Sequence, residues 1–113
     1  MNINKVTAIF DESCLKEVES ALLQHGVKGF TLYPVRGRGY NFDSFNEKKH
    51  LIKHIQLEVY VKTDQAKAIA QVIVDAAHVN ADSEGLVCIV PVNDLIWIHD
   101  KRRATVSDFH FHI

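Results

Sequence analysis

Alternating hydrophobic and polar positions predict β-strands in two parts of the chain. The cleaner pattern sets polar residues between the apolar positions Ile55, Leu57, Val59 and Val61. A strict period of two is typical of a strand with one buried face. In residues 4–10, Val6, Ala8 and Phe10 share one face and Ile9 lies on the other, so this strand is expected to be covered at least partly on both sides.

Two shorter apolar runs predict further strands. Aromatic and β-branched residues dominate 30–35, and Pro34 near its end fits an edge strand, where a missing N–H donor is tolerated. The run LVCIV at 86–90 follows a polar turn, and after a break at 91–94 the segment LIWIH at 95–99 predicts a short extra strand.

Two segments carry apolar residues at helical spacing. Polar residues 11–13 open the first, in which Leu15, Val18 and Leu22 recur before Gly26 marks its end. Asp64 is the predicted N-cap of the second helix. Its apolar stripe consists of Ala66, Ile69, Ala70, Ile73, Ala76 and Ala77. Small residues in that stripe predict close packing onto a sheet.

The element order predicts an α+β fold of the ferredoxin-like β-α-β-β-α-β type in a single domain, residues 1–113. Two helices cover one sheet face, and the apolar residues of the other face predict self-association. Residues 36–54 break both periodicities and predict a long loop, a feature that is usually functional or disordered. Residues 100–113 form a C-terminal tail without clear periodicity.

Charge and composition exclude several classes of protein. Thirteen Lys and Arg against fourteen Asp and Glu give a net charge of -1, so no global basic field favours nucleic acid. No apolar run of membrane-spanning length and no secretion signal stands out, which predicts a cytoplasmic protein. Cys14 and Cys88 lack the spacing of a metal or redox motif and are interpreted as small buried hydrophobes.

The stretch GVKGFTLYPVRGRG at 26–39 resembles the PII signal-transduction superfamily segment G-x-x-G-x-T-x-x-x-V-x-G-x-G, which joins the first helix to the second strand and the T-loop. Residues 54–61, HIQLEVYV, resemble the strand after the T-loop, with its acidic residue at Glu58. The turn 82–85 stands where the family places its B-loop, and 92–99 where it places its last strand. The resemblance covers nearly the whole chain in the right order.

This resemblance implies a homotrimeric, non-catalytic regulator that binds an adenine nucleotide in clefts between subunits. The T-loop, residues 36–54, would then control a membrane transporter or a metabolic enzyme. The implied nucleotide-binding residues are Thr31, Gly37, Arg38, Gly39, Glu58, Tyr60, Glu84, Gly85, His99, Lys101 and Arg103.

Three departures from the family pattern change the expected ligand. Leu86 stands in place of the B-loop lysine, and Trp97 and His99 stand in place of two arginines of the last strand. We therefore expect ADP or AMP to be preferred over ATP. The chain is similar to PII-like branches such as the carbon-regulatory type associated with bicarbonate transport, which makes bicarbonate a further candidate ligand.

Basic residues are concentrated in the predicted loop. Arg36, Arg38, Lys48, Lys49 and Lys53 oppose only Asp43 and Glu47 there. Beside glycines that expose backbone N–H groups, they are typical either of an anion site or of a solvated loop. Lys101, Arg102 and Arg103 could replace the missing arginines at the phosphates, or belong to a solvated tail.

Histidine pairs supply the main alternative. His50 and His54 lie four residues apart, and His110 and His112 alternate, but neither pair has the Cys or acidic partners of a closed metal site. No metal is therefore expected. The alternative is a metal-responsive PII-like or CutA-like protein of divalent-cation homeostasis. A ferredoxin-like enzyme is disfavoured because no catalytic triad, Cys-His pair or carboxylate pair stands out.

Overall fold

The computed structural model describes residues 1–37, 52–78, 85–109 and 111. Four strands are present in this part of the chain: β1 (Ile3–Asp11), β2 (Thr31–Gly37), β3 (Ile52–Lys62) and β4 (Gly85–Pro91). The helices are α1 (Leu15–Gln24) and α2 (Ala66–Ala77), each preceded by a 3₁₀ turn, Glu12–Cys14 and Thr63–Gln65. This order confirms the α+β ferredoxin-like arrangement.

All neighbouring strands are antiparallel, in the order β2-β3-β1-β4. Pro34 therefore lies on an edge strand, as predicted. The predicted loop at 36–54 was too long at both ends, because β2 continues to Gly37 and β3 begins at Ile52. Ladder hydrogen bonds across the β2–β3 ribbon extend pairing beyond the apolar positions by which the strands were recognised. The remaining connection, 38–51, lies outside the described residues.

Both helices pack on one face of this sheet. The alternating residues Val6, Ala8, Leu57 and Val59 are almost completely buried there. They meet Val18 and Leu22 of α1 and Ile69 and Ile73 of α2 in one continuous core. Removing an aliphatic side chain of this kind from water stabilises a fold by about 1.5–3 kcal/mol. The hydrophobic periodicity thus predicted the core-facing side of these elements correctly.

Local interactions explain where the helices begin and end. Gly26 adopts a left-handed backbone at φ 82°, and the N–H groups of Gly26 and Val27 donate to the carbonyls of Leu23 and Leu22. This closing motif confirms the end predicted for α1. The predicted N-cap role of Asp64 was wrong: it lies inside the 3₁₀ turn, and Gln65 precedes α2 without a side-chain cap.

The segment after β4 forms a second, smaller cluster at the other end of the sheet. Ile3, Ala104 and Phe109 are buried together, with Trp97 packed against them. No strand forms at 95–99, contrary to the sequence prediction, since only an isolated bridge joins Ile96 to Arg103. Apolar and polar residues do alternate at 95–99, but the chain turns at 98–100 before further strand hydrogen bonds can form.

The two cysteines occupy different environments. Cys14 is buried beneath the helices, and its thiol donates to the Ala77 carbonyl at 3.5 Å. Cys88 lies opposite Thr7 on the sheet face that the helices do not cover, and it is exposed. The predicted burial of Cys88 was therefore wrong for the single chain. In the described part of the chain, none of the helices is both long and apolar enough to cross a membrane.

Candidate functional site

The sheet face away from the helices, called the open face here, carries Thr31 and Glu58. These residues lie directly opposite each other on β2 and β3. Side chains of such a pair have Cβ atoms about 5 Å apart, close enough to contact one ligand group. Thr31 is exposed, whereas the Glu58 side chain keeps only 15% of its surface exposed. The carboxylate is therefore partly desolvated and directed by its neighbours.

Three side chains hold the Glu58 carboxylate in place. The Tyr33 hydroxyl donates to Oε1 at 3.0 Å, and the Gln56 amide donates to Oε2 at 3.1 Å. The Lys5 ammonium lies 3.6 Å from the same Oε2. The hydrogen bond to Glu58 raises the pKa of Tyr33, with burial and the negative charge of Glu58 acting in the same direction. Because a carboxylate accepts about four hydrogen bonds, Glu58 retains capacity for a donor from a ligand.

Tyr60 extends this surface along β3. It lies two residues after Glu58, opposite Lys5, and is 37% exposed. Its ring therefore shares the open face with Thr31 and Glu58, in reach of the same ligand. The sequence prediction included all three residues and missed Tyr33, Lys5 and Gln56. Alternation along β3 puts Gln56 on the same face as Glu58, whereas the positions of Tyr33 and Lys5 beside it follow from the pairing of β2 and β1 with β3.

At the end of the open face nearest the 38–51 connection, Asp11 and His54 pair across β1 and β3. The backbone N–H of Ser13 donates to Asp11 at 2.8 Å and, together with the Ser13 hydroxyl, lowers the pKa of this carboxyl. Attraction to His54 adds to this, while burial opposes it. His54 is itself buried. This half of the predicted His50–His54 pair is therefore part of the sheet, and His50 lies outside the described residues.

Gly37 and Gly85 mark the two sides of the same sheet end. Gly37 closes β2 opposite Ile52, and Gly85 opens β4 opposite Phe10. Gly85 has a φ of 141°, and a Cβ atom there would fall on the carbonyl oxygen of Ile9. Because β3 and β1 separate β2 from β4, the two glycines lie roughly 14 Å apart by strand spacing alone.

The C-terminal candidates lie around the turn at 98–100. His99, Lys101 and Arg103 are exposed, and Lys101 adopts a left-handed backbone at φ 58°. The Arg103 guanidinium pairs with the Asp94 carboxylate. Arg103 is therefore already engaged within its own chain, so it would have to exchange this partner to contact a phosphate.

Arg102 and Asp108 form the polar centre of the C-terminal cluster. Two guanidinium nitrogens donate to the two Asp108 oxygens, each at 3.1 Å, and Asp100 accepts a third bond at 3.0 Å. The Trp97 indole also donates to Asp108 at 3.1 Å and stacks on Phe109. Chiefly because of Arg102, the pKa of Asp108 lies far below its usual value. Arg102 is therefore already engaged by two carboxylates of its own chain and would have to exchange them to contact a phosphate.

Several predicted residues lie outside the described part of the chain. They are Arg38, Gly39, Lys48, Lys49, Glu84, His110 and His112. Within the described ranges, no group of three or more His, Cys, Asp or Glu side chains is placed to hold a metal ion. In this part of the chain the structure therefore brings together Thr31, Glu58 and Tyr60, whereas Gly85 lies on the other edge strand and His99, Lys101 and Arg103 lie in the C-terminal segment.

Comparison with known proteins places this geometry in a family. The family model described as "Nitrogen regulatory protein P-II" matches residues 3–102. The "Nitrogen regulatory protein P-II homolog" of Arabidopsis thaliana is 31% identical over 112 residues, covering 92% of this chain and 57% of that protein. The chain thus spans little more than half the length of this plant relative. The "Nitrogen regulatory protein P-II" of Microchaete diplosiphon is 27% identical over 109 residues, covering 91% of this chain and 97% of that protein.

Solved structures agree with the sequence comparisons. The chain is similar to the structure titled "Crystal Structure of Arabidopsis thaliana PII bound to citrate", with a TM-score of 0.77 and 27% sequence identity. That similarity covers 91% of this chain and 89% of the other. Together with the match over residues 3–102, it shows that the chain belongs to the nitrogen regulatory protein P-II family of signalling regulators.

Proposed function

We propose that this protein binds an adenine nucleotide in clefts between the subunits of a homotrimer and transmits the binding state through the T-loop. The observation that carries the proposal is the Thr31–Glu58 pair on the open face. A hydroxyl and an oriented carboxylate supply a donor and acceptors for the edge of adenine or the hydroxyls of ribose. Tyr60 provides an aromatic surface beside them.

A second copy of the chain completes the proposed site. Gly85 lies on the opposite sheet edge from Thr31, with two strands between them, which supports a site to which two copies of the chain contribute different edges. Apolar side chains are available for such an assembly. Leu86 is 55% exposed, and Val90 is 39% exposed on the same strand. Ile98, at the C-terminal turn, is 93% exposed.

The proposed ligand is ADP or AMP in preference to ATP. Leu86 and Trp97 offer no cation to a terminal phosphate, and the Trp97 indole is already bonded to Asp108. Lys101 is exposed beside the turn and supplies a positive charge there, and His99 is exposed next to it. Each charge-assisted hydrogen bond that is missing removes about 1.5–3 kcal/mol from phosphate binding. Bicarbonate is a second proposed ligand, because the sequence resembles the PII-like branches associated with bicarbonate transport.

The proposed partner is a membrane transporter or a metabolic enzyme, contacted by the loop that leaves the sheet after Gly37. Ligand-dependent ordering of such a loop is a common switching mechanism. The metal-responsive alternative is not favoured, because the matched family and the relatives described above are nitrogen regulatory proteins. Regulation, without catalysis, is what this family relationship implies.

Calorimetric titration tests the proposal. ATP with magnesium, ADP, AMP, cyclic AMP, bicarbonate and zinc are titrated separately into the same protein. We expect heat from ADP or AMP, with ATP binding no more tightly. Zinc binding without nucleotide binding would replace this proposal by the metal-responsive alternative, and ATP binding at least about ten-fold tighter than ADP would contradict the phosphate argument.

A pair of matched variants locates the ligand. Thr31→Val removes the exposed hydroxyl beside Glu58, and Thr63→Val removes an exposed hydroxyl from the 3₁₀ turn before α2. We expect only Thr31→Val to weaken ADP binding, by roughly five-fold to ten-fold for one lost hydrogen bond. Equal affinity of both variants would place the nucleotide elsewhere.

A further inference from the structure

Two cations face each other at the root of the T-loop. Arg36 on β2 and Lys53 on β3 are directly opposite in the antiparallel register, and both are exposed. Like charges in such a cross-strand pair destabilise a sheet. The sequence alone did not show this pairing, because 17 positions separate the two residues along the chain.

Arg36 and Lys53 lie on the opposite side of the β2–β3 ribbon from Thr31 and Glu58. Alternation along β2 puts Thr31 on the open face and Arg36 on the face that the helices cover farther along the sheet. The next pair down this second face is Pro34 with Ile55. The two cations therefore form a surface separate from the candidate nucleotide site, and we call it the ribbon cation pair.

Acidic neighbours do not neutralise the ribbon cation pair within the described ranges. Glu12 directly follows Asp11, the last residue of β1, which is paired with His54 of β3. The chain leaves the strand there for a 3₁₀ turn, and the ion pairs formed among the described residues involve neither Arg36 nor Lys53. Among the described residues no carboxylate offsets the repulsion between these two cations, so an anion from a bound partner would relieve it.

We propose that the ribbon cation pair docks an acidic segment of the regulated partner protein. Both cations are exposed, and exposed charge pairs in water are individually weak, so a small free anion gains little there. In a segment with several carboxylates, binding of the first carboxylate keeps the others close to the second cation, which increases the overall affinity. The proposal rests on the proposed function, since it names the chemistry of the partner that the T-loop contacts.

Fluorescence anisotropy with a labelled hexaglutamate peptide at low ionic strength tests this inference. The double variant Arg36→Gln/Lys53→Gln removes the ribbon cation pair. The control Lys28→Gln/Lys67→Gln removes the same charge from two exposed positions elsewhere on the chain. We expect the first variant to weaken peptide binding at least about five-fold and the control to change it less than about two-fold, with binding lost at high salt.

Three results of the peptide experiment would overturn the inference. They are no peptide binding by the wild-type protein, equal weakening in both double variants, and displacement of the peptide by inorganic phosphate at equal charge concentration. ADP titration of the same proteins separates this question from the proposed function. Loss of ADP binding in Arg36→Gln/Lys53→Gln would assign the cations to the nucleotide and also contradict the inference, whereas a wild-type protein that binds peptide but not ADP would contradict only the proposed function.

Discussion

The Glu58 carboxylate is oriented by Tyr33 and Lys5, and the sequence pattern around these two residues does not identify them as functional. Family resemblance pointed to Thr31, Glu58 and Tyr60, and β-strand register explains why they share a face. The hydrogen bond from Tyr33 and the ion pair with Lys5 depend on long-range pairing that periodicity cannot specify. The sequence likewise could not show that Arg102 and its neighbour Lys101 have different roles. Within the described ranges, Asp100 and Asp108 form ion pairs with Arg102 and not with Lys101.

Gly85→Ala tests the close approach at the start of β4. The added Cβ would overlap the Ile9 carbonyl in a backbone conformation that side chains rarely adopt. We expect a loss of about 1–3 kcal/mol in the free energy of unfolding, measured by chemical denaturation. Gly29→Ala is the matched control, because no atom lies within 4 Å of the position its Cβ would occupy. Equal stability of the two variants would contradict the account of this strand.

Asp108→Asn tests the C-terminal polar cluster through its pH dependence. Folding lowers the pKa of Asp108 below its usual value of 3.8, so the charged carboxylate stabilises the fold at neutral pH. This stability decreases as pH falls through the usual pKa and towards the lower pKa of the folded state. We expect the variant to melt below the wild-type protein at pH 7 and the difference to narrow below about pH 4. A difference independent of pH would refute the electrostatic explanation.

Elements with regular hydrophobic periodicity were predicted well, and elements defined by hydrogen bonding were not. The alternating core residues of β3 and the stripe of α2 fixed both elements and their buried faces. Ribbon pairing extended β3 back to Ile52, although polar Lys53 interrupts the apolar pattern. At 95–99 the alternation was present, but the turn at 98–100 and the packing of Trp97 on Phe109 favour a compact cluster over a strand.

Lys53→Glu tests the ribbon cation pair at the level of the strand pair. The substitution turns a like-charge pair with Arg36 into an attractive one across β2 and β3. We expect an increase of about 0.2–1 kcal/mol in the free energy of unfolding, which falls as salt is added. Lys28→Glu, at an exposed position outside the ribbon, should change stability less. Greater stabilisation by Lys28→Glu would show that net charge and not pairing is responsible.

At the scale of the whole molecule, two surfaces of the described chain carry exposed apolar side chains that the proposed trimer would bury. One is the open face, which mixes the polar Glu58 cluster with apolar Leu86 and Val90. The other is the C-terminal turn, where Ile96 and Ile98 point away from the cluster formed by Ile3 and its neighbours. Two different apolar surfaces on one chain suit the head-to-tail contacts of a closed ring, such as the proposed homotrimer. Sequence periodicity predicted that another copy of the chain contacts the open face, but it did not predict which residues form that contact.

Ile98→Asp tests the role of the C-terminal turn in assembly. Ile98 is 93% exposed, so the charge should leave the fold of one chain intact and disfavour burial between chains. We expect light scattering to show a shift from three times the chain mass of 12.8 kDa towards the single mass. Asn93→Asp, which adds the same charge at an exposed position nearby, should remain trimeric. An unchanged mass for Ile98→Asp would exclude this turn from the interface.

Native mass spectrometry of the protein with ADP tests the central claim most directly, because it reports assembly and ligand occupancy in one spectrum. The claim is that nucleotide sites form between subunits, since Thr31 and Gly85 lie on opposite edges of one sheet. The account predicts trimers that carry one ADP for each of their equivalent clefts and monomers that carry none. Monomers that retain ADP, or trimers that bind no nucleotide at saturating concentration, would contradict it.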